Sequence, residues 1–240
     1  MRKLLVLAMA SFAFMPAFSQ ENSSPKKQLD LNKAGDHIMI QLGLNSLTGA
    51  PDSIKDHIGG FQRSANVYLM LNKPFKNNPK MSIGIGAGIS TSNIYFKDMI
   101  VDIASTQLVL PFIDVDSAQN FKKFKLSTTF VEVPLELRFT AKPETPSKSL
   151  KAAIGIKAGL LLSGKTKGKT LRSASGSVIN DYTEKVVAKK YFNSSRLSAT
   201  ARVGYGNFTL FGAYSFGSMF KDGVAADMKL FQAGITISGL

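Results

Sequence analysis

From Asp36 onward the apolar residues fall on every second position, the pattern of strands with two unlike faces. In Asp36–Asn45 the apolar set is Ile38, Ile40, Leu42 and Leu44, opposite His37, Met39, Gln41 and Gly43. Phe61–Asn72 sets Ala65, Val67, Leu69 and Leu71 against Ser64, Asn66, Tyr68 and Met70. Met81–Ser90 alternates Ile83, Ile85, Ala87 and Ile89 with Gly84, Gly86 and Gly88. Phe124–Thr140 alternates Val131, Val133, Leu135, Leu137 and Phe139 with Glu132, Pro134, Glu136 and Arg138. The same period runs through Leu150–Leu162, Leu197–Tyr205, Phe208–Phe216 and Lys229–Gly239. No segment has a convincing helical period. The pattern predicts an all-β chain with eight antiparallel strands, each long enough to cross a bilayer at a tilt.

Alternation alone leaves open which face is wet. Three features favour an apolar exterior. The polar face carries charges in mid-strand, at Glu132, Glu136, Arg138, Lys157 and Arg202, among many glycines. Connections alternate in length: 46–60, 97–123, 163–196 and 217–228 are long, whereas 73–80, 141–149 and Gly206–Asn207 are short, as in outer-membrane barrels. Aromatics gather near strand ends, with Phe139, Tyr205 and Phe208 at the short-turn side and Tyr95, Phe96, Phe124 and Phe216 at the long-loop side, suggesting interfacial girdles. The expected fold is an eight-stranded antiparallel transmembrane β-barrel over residues 36–240, with short periplasmic turns and long extracellular loops.

The N-terminal segment reads as an address. Arg2 and Lys3 precede an apolar run, Leu4–Phe14, and Ala17 and Ser19 stand at the −3 and −1 positions of a cleavage site. Residues 1–19 are therefore expected to be a signal peptide, and residues 20–35 a flexible periplasmic lead-in. No later stretch approaches 18 consecutive apolar residues, so no membrane-spanning helix is expected. Composition then sharpens the picture. The 240 residues carry 30 Lys+Arg against 16 Asp+Glu, a net charge of +14, and contain no Cys and two His. Absent Cys excludes disulfides, thiolate metal sites and a cysteine nucleophile. Two histidines make a multi-histidine metal site improbable on ligand count. The basic excess points to an anionic neighbour, which for an exported chain means a membrane surface and not nucleic acid.

The strand Thr129–Phe139, TFVEVPLELRF, resembles the aromatic-x-Glu-aliphatic-Pro-Leu signature of PorT-like outer-membrane β-barrel proteins. A Gly-rich strand, AAIGIKAGLLL, follows it as in that family. The segment Tyr214–Gly223, YSFGSMFKDG, is similar to the family's last extracellular loop, and FQAGITI to its closing strand. The resemblance spans about residues 36–240. It implies an outer-membrane barrel of the OmpA/OmpX size class, with no particular activity and no family site residues to transfer. Some relatives belong to a secretion machine.

Several motifs invite a chemical reading. Gly159–Thr166 fits the P-loop pattern, but Leu-Leu-Leu-Ser within it continues a strand and no helix follows to receive phosphates. Gly84, Gly86 and Gly88 repeat with the strand period, which suits a lumen making room for large neighbours. Asp98, Asp102, Asp114 and Asp116 are candidate cation ligands, weighed against a loop hairpin in LVLPFIDVD. His37 and His57 stand in no triad-like register, so no catalytic residue, cofactor or metal is assigned and the protein is not expected to be an enzyme. Glu132, Glu136, Arg138, Lys157 and Arg202 are expected to form an ion-pair network filling a lumen too narrow for a pore. The loop 163–196 carries Lys165, Lys167, Lys169, Arg172, Lys185, Lys189, Lys190 and Arg196, of which Lys165, Lys167, Lys169, Arg172, Lys189 and Lys190 are candidate contacts to lipopolysaccharide phosphates. The expected role is structural or interaction-based, through extracellular loops contacting outer-membrane lipid or an envelope protein. A secretion- or transport-associated component and a soluble lipocalin-like barrel are the alternatives.

Overall fold

The computed structural model describes residues 38–115 and 119–239. The expected signal peptide, the lead-in, His37, Asp116 and Leu240 lie outside them. Eleven strands are described: β1 (Ile38–Thr48), β2 (Arg63–Pro74), β3 (Met81–Phe96), β4 (Met99–Val101), β5 (Phe112–Asp114), β6 (Asn120–Thr140), β7 (Leu150–Arg172), β8 (Val178–Val187), β9 (Ser195–Tyr205), β10 (Phe208–Ser215) and β11 (Lys229–Ser238). Eight of them run in the order β6-β3-β2-β1-β11-β10-β9-β7, and β6 pairs with β7 to close the ring, every pairing antiparallel. Closure leaves no sheet edge within the wall, the condition for standing in hydrocarbon.

The turns explain the up-and-down course. Between β9 and β10 two residues suffice: Tyr205 pairs with Phe208, and Gly206 sits at φ 60°, the positive value such a hairpin demands. Side chains on the apolar set point out: Leu42, Leu69, Ile85, Val133, Ile154, Val203, Leu210 and Ile235 are all exposed. The opposite set fills the inside, with Gln41, Asn66, Tyr68, Glu132, Glu136, Lys157 and Thr236 buried. A soluble ligand-binding barrel has the reverse polarity, so the lipocalin-like alternative fails.

Two departures from the alternation matter. First, the expected loops at the long end are largely ordered. Strands β3, β6 and β7 run past the apolar band, β4 and β5 pair as a small hairpin, and β8 folds back on the upper half of β7. Above the barrel mouth, Ile94, Phe96, Val101, Leu110, Phe124, Tyr191, Phe192, Phe220 and Met228 form an apolar cluster, joined by Ile54 from the short helix α1 (Asp52–Lys55). Phe96 and Phe124 therefore do not belong to an aromatic girdle: they face inward, because above the membrane the strands enclose an apolar cap in place of the polar lumen. Phe139, Tyr205, Phe208 and Phe216 do face outward.

Second, β7 changes phase. Thr129 of β6 pairs with Ser163 and Phe130 with Leu161, leaving Leu162 as a bulge. Below it the even-numbered residues Ile154, Ile156 and Leu160 face out. Above it Lys165, Lys167 and Lys169 do so, while Thr166 and Gly168 turn inward. The region expected to be the loop 163–196 is thus a strand, a hairpin and, at Arg196, the beginning of β9.

Candidate functional site

The lumen holds two charged clusters on neighbouring strands. Alternation on β6 aims Glu132, Glu136 and Arg138 inward, and the register sets Glu132 level with Gly159 and Glu136 level with Gly155 on β7. Small residues there leave room for carboxylates. In the upper cluster Glu132 Oε1 accepts from Arg196 Nη2 at 2.5 Å, and Lys157 Nζ lies 3.8 Å from Oε2. The Tyr68 hydroxyl donates to the same Oε2 at 2.5 Å, and Lys157 Nζ lies over the Tyr68 ring at 5.7 Å. The Arg196 guanidinium stacks 4.1 Å from the Phe130 ring centre and donates to Ser90 Oγ at 3.0 Å.

In the lower cluster Glu136 Oε2 accepts from Arg138 Nε and from Arg202 Nη2, each at 2.9 Å. A Cβ at Gly84 would lie 2.4 Å from Arg138 Nε, so the glycine strand β3 is the bed on which this side chain lies. Between and above the charges, Asn66 donates to Gln41 at 3.2 Å, Gln41 donates to Thr236 at 3.2 Å, and Ser90 donates to Asn66 at 2.8 Å. The five charged residues singled out from the sequence come to one lumen in these two groups. Arg196 joins them, although its place between a long connection and a strand gave no sign of an inward position. Only the alternation Arg196, Ser198, Thr200, Arg202 carried that signal.

A different arrangement occupies the outer wall. Cross-strand rows above the apolar band read Arg63, Asn93, Ser127 and Lys165; then Tyr95, Lys125, Lys167 and Lys185; then Lys123 and Lys169. Like charges therefore stand directly opposite each other, about 5 Å apart across the strands, an unfavourable pairing left to itself. No aspartate or glutamate shares these rows among the described residues. Lys125 Nζ donates to Asn93 Oδ1 at 2.8 Å and sits over the Tyr95 ring. Partial burial, then the proximity of Lys167 and Arg63, holds its ammonium below the ordinary lysine value. A groove of about 770 Å³ opens at the top of this panel, lined by Phe61, Arg63, Tyr95, Lys123 and Arg172 among others.

The remaining sequence candidates are scattered. Lys190 donates to the carbonyls of Thr106 and Gln107 at 3.1 and 3.0 Å, pinning a loop, and Lys189 is exposed beside it. Asp98 accepts from Asn120 at 2.7 Å, Asp102 caps Ala104, and Asp114 faces His57 at 3.7 Å. No group of three potential metal ligands occurs among the described residues. The P-loop-like run lies inside β7 across the bulge, so its amides serve the β-ladder.

A closed antiparallel barrel, apolar outside and charged and packed inside, with short turns at one end and a folded cap at the other, defines an integral outer-membrane protein of the eight-stranded class. The chain belongs to the outer membrane protein beta-barrel domain family, whose model matches residues 18–219. Its place is the bacterial outer membrane, with the short turns periplasmic and the cap extracellular. Similar solved structures include Ail, the attachment invasion locus protein of Yersinia pestis, crystallised with the heparin analogue sucrose octasulfate (13% identity, TM-score 0.38) and without it (12%, 0.37). Each covers 85% of this chain and 97% of Ail. No curated protein matches the chain.

Proposed function

We propose that this protein is a plugged, non-enzymatic outer-membrane barrel that presents its extracellular cap and upper wall to lipopolysaccharide and to other envelope components. One observation carries the reading: the lumen is filled by ion-paired side chains and the mouth is covered by an apolar cluster, so the surfaces left to act are external. Residues 1–19 would direct export and 20–35 would lead into the wall. Lys165, Lys167, Lys169 and Arg172 are the cations best placed to meet lipopolysaccharide phosphates, since each faces outward or lines the rim groove. The Glu132–Pro134 strand supports the narrower PorT-like reading. In planar bilayers the purified protein is expected to show no steady large conductance while its gel mobility remains heat-modifiable. Stable open channels would overturn the plugged-barrel reading.

A second reading, docking of a partner protein, is favoured by β8. Its ten residues pair only with β7 among the described strands and expose Val178, Ile179 and Val187. An unpaired edge of this length is a template for strand addition. Co-purification in mild detergent, lost on placing proline at Val187, whose N–H points away from β7 to the free edge, would support it.

A further inference from the structure

The β2–β3–β6 wall carries an apolar dent in the same vertical track as the cationic rows. Among the described pairs, the β3–β6 ladder runs from Ile85↔Leu135 to Gly88↔Glu132 with no pairing recorded at Gly86 and Ala87. Pro134 faces this interval and has no N–H to donate. On the lipid side the interval is a depression of about 500 Å³ bounded by Leu69, Leu71, Ile85, Ala87 and Val133. Ala87 is the small residue among large ones. Leu69 and Arg63 lie six residues apart on one strand, about 20 Å at 3.3 Å per residue. Read upward, one face offers an apolar dent, cationic rows with no acid paired in them among the described residues, and an aromatic-lined groove whose rim also carries Asp98.

We propose that this track binds one phosphorylated glycolipid of the outer leaflet. An acyl chain lies in the dent at Ala87, phosphate groups sit on Arg63, Lys125, Lys165 and Lys167, and a sugar ring reaches the groove against Phe61 and Tyr95. The proposal rests on the reading of the chain as an outer-membrane barrel and narrows its lipopolysaccharide contact to one wall. The like-charge rows of the panel then have a reason: a phosphate between Lys125 and Lys167 turns a repulsion into two charge-assisted hydrogen bonds.

The test uses the full mature chain refolded into phosphatidylcholine nanodiscs containing bis-phosphorylated lipid A, with retained lipid counted by native mass spectrometry. One lipid A per barrel is expected to survive gentle activation, with phosphate-free lipid A retained about tenfold less or weaker still. The pair K125E/K167E should reduce retention by a similar factor, and A87W should reduce it while leaving all cations in place. K221E, a charge reversal in the cap far from the panel, should leave it unchanged. Retention indifferent to the panel pair and to A87W would overturn the proposal, as would an equal loss on K221E, which would mean net charge alone. Inositol hexakisphosphate serves as a soluble probe. Full displacement of lipid A by this probe would remove the acyl-chain part and with it the proposal. Every sample is checked for heat-modifiable mobility: a normal shift without lipid retention sinks only this inference, whereas loss of the shift in the wild type sinks the barrel reading.

Discussion

Glu132 accepts from Tyr68 and Arg196 and is ion-paired with Lys157, all three in the buried lumen. Removing it leaves two buried cations facing each other, and truncating one partner of such a group costs about 3–5 kcal/mol. Glu132→Ala is therefore expected to lower the unfolding free energy of the refolded barrel, read from urea titration, by that much, whereas the triple change Glu132→Met, Lys157→Met, Arg196→Met should recover most of the loss. Lys125 makes the opposite prediction. Its folded-state value is depressed, so its cost is fully present at neutral pH, where the folded and unfolded chains are both protonated, and fades as pH rises through the depressed value towards that of free lysine. In lipid-free detergent, Lys125→Gln should be more stable than the wild type at neutral pH, and the gap should close in that alkaline window. Urea unfolding across a pH series reads this directly. The inward charges on β6 were legible because alternation assigns a face to each residue. Arg196 was not, since a residue at the start of a strand is indistinguishable from the end of a connection until its partners are known.

At the scale of elements, the glycine strand β3 sets how closely the wall can approach its filling. A Cβ at Gly88 would lie 2.1 Å from the Val67 carbonyl oxygen and 2.6 Å from Tyr68 Cδ1. Gly212, on β10, has no atom within 4 Å of such a Cβ. Gly88→Val should sharply reduce the heat-modifiable fraction on refolding, and Gly212→Val should leave it near the wild-type yield. The cap has its own weak point at Lys190, whose ammonium and the neighbouring Tyr191 hydroxyl both meet the carbonyls of the 105–107 loop. Lys190→Met should speed protease cleavage near Leu108 while the barrel's gel shift persists, because a cap loop can open without the wall. The strands within the apolar band were readable from period alone. Their upper extensions were not: above the membrane the inward side of β3 and β6 becomes apolar, at Ile94, Phe96, Phe124 and Leu126, so the apolar residues change face, the alternation breaks step with the lower strand, and the segment reads as an irregular connection.

At the scale of the whole molecule, three layers stack along the barrel axis: a polar, ion-paired lumen, an apolar outer belt at the same height, and above both an apolar cap inside a cationic shell. Inside and outside exchange character at the membrane surface. Length, strand number and the direction of the two ends followed from alternation and connection lengths, but this inversion depends on tertiary enclosure that no local period records. On β7 the exchange passes through Leu162. Below it, the aliphatic frame of the strand looks at lipid; above it, the lysine frame looks at headgroups and the small-residue frame fits under Phe192 and Phe121. The bulge works like a one-residue shift in a reading frame: alternation carried through Leu162 without it would bring Lys165, Lys167 and Lys169 into the apolar cap and put Gly164, Thr166 and Gly168 on the wall. The message written in this strand is therefore carried by its phase: deleting Leu162 sets Leu161 and Ser163 side by side on a regular ladder with Phe130 and Thr129, and is expected to leave both halves of the strand reading correctly, with wild-type heat-modifiable mobility.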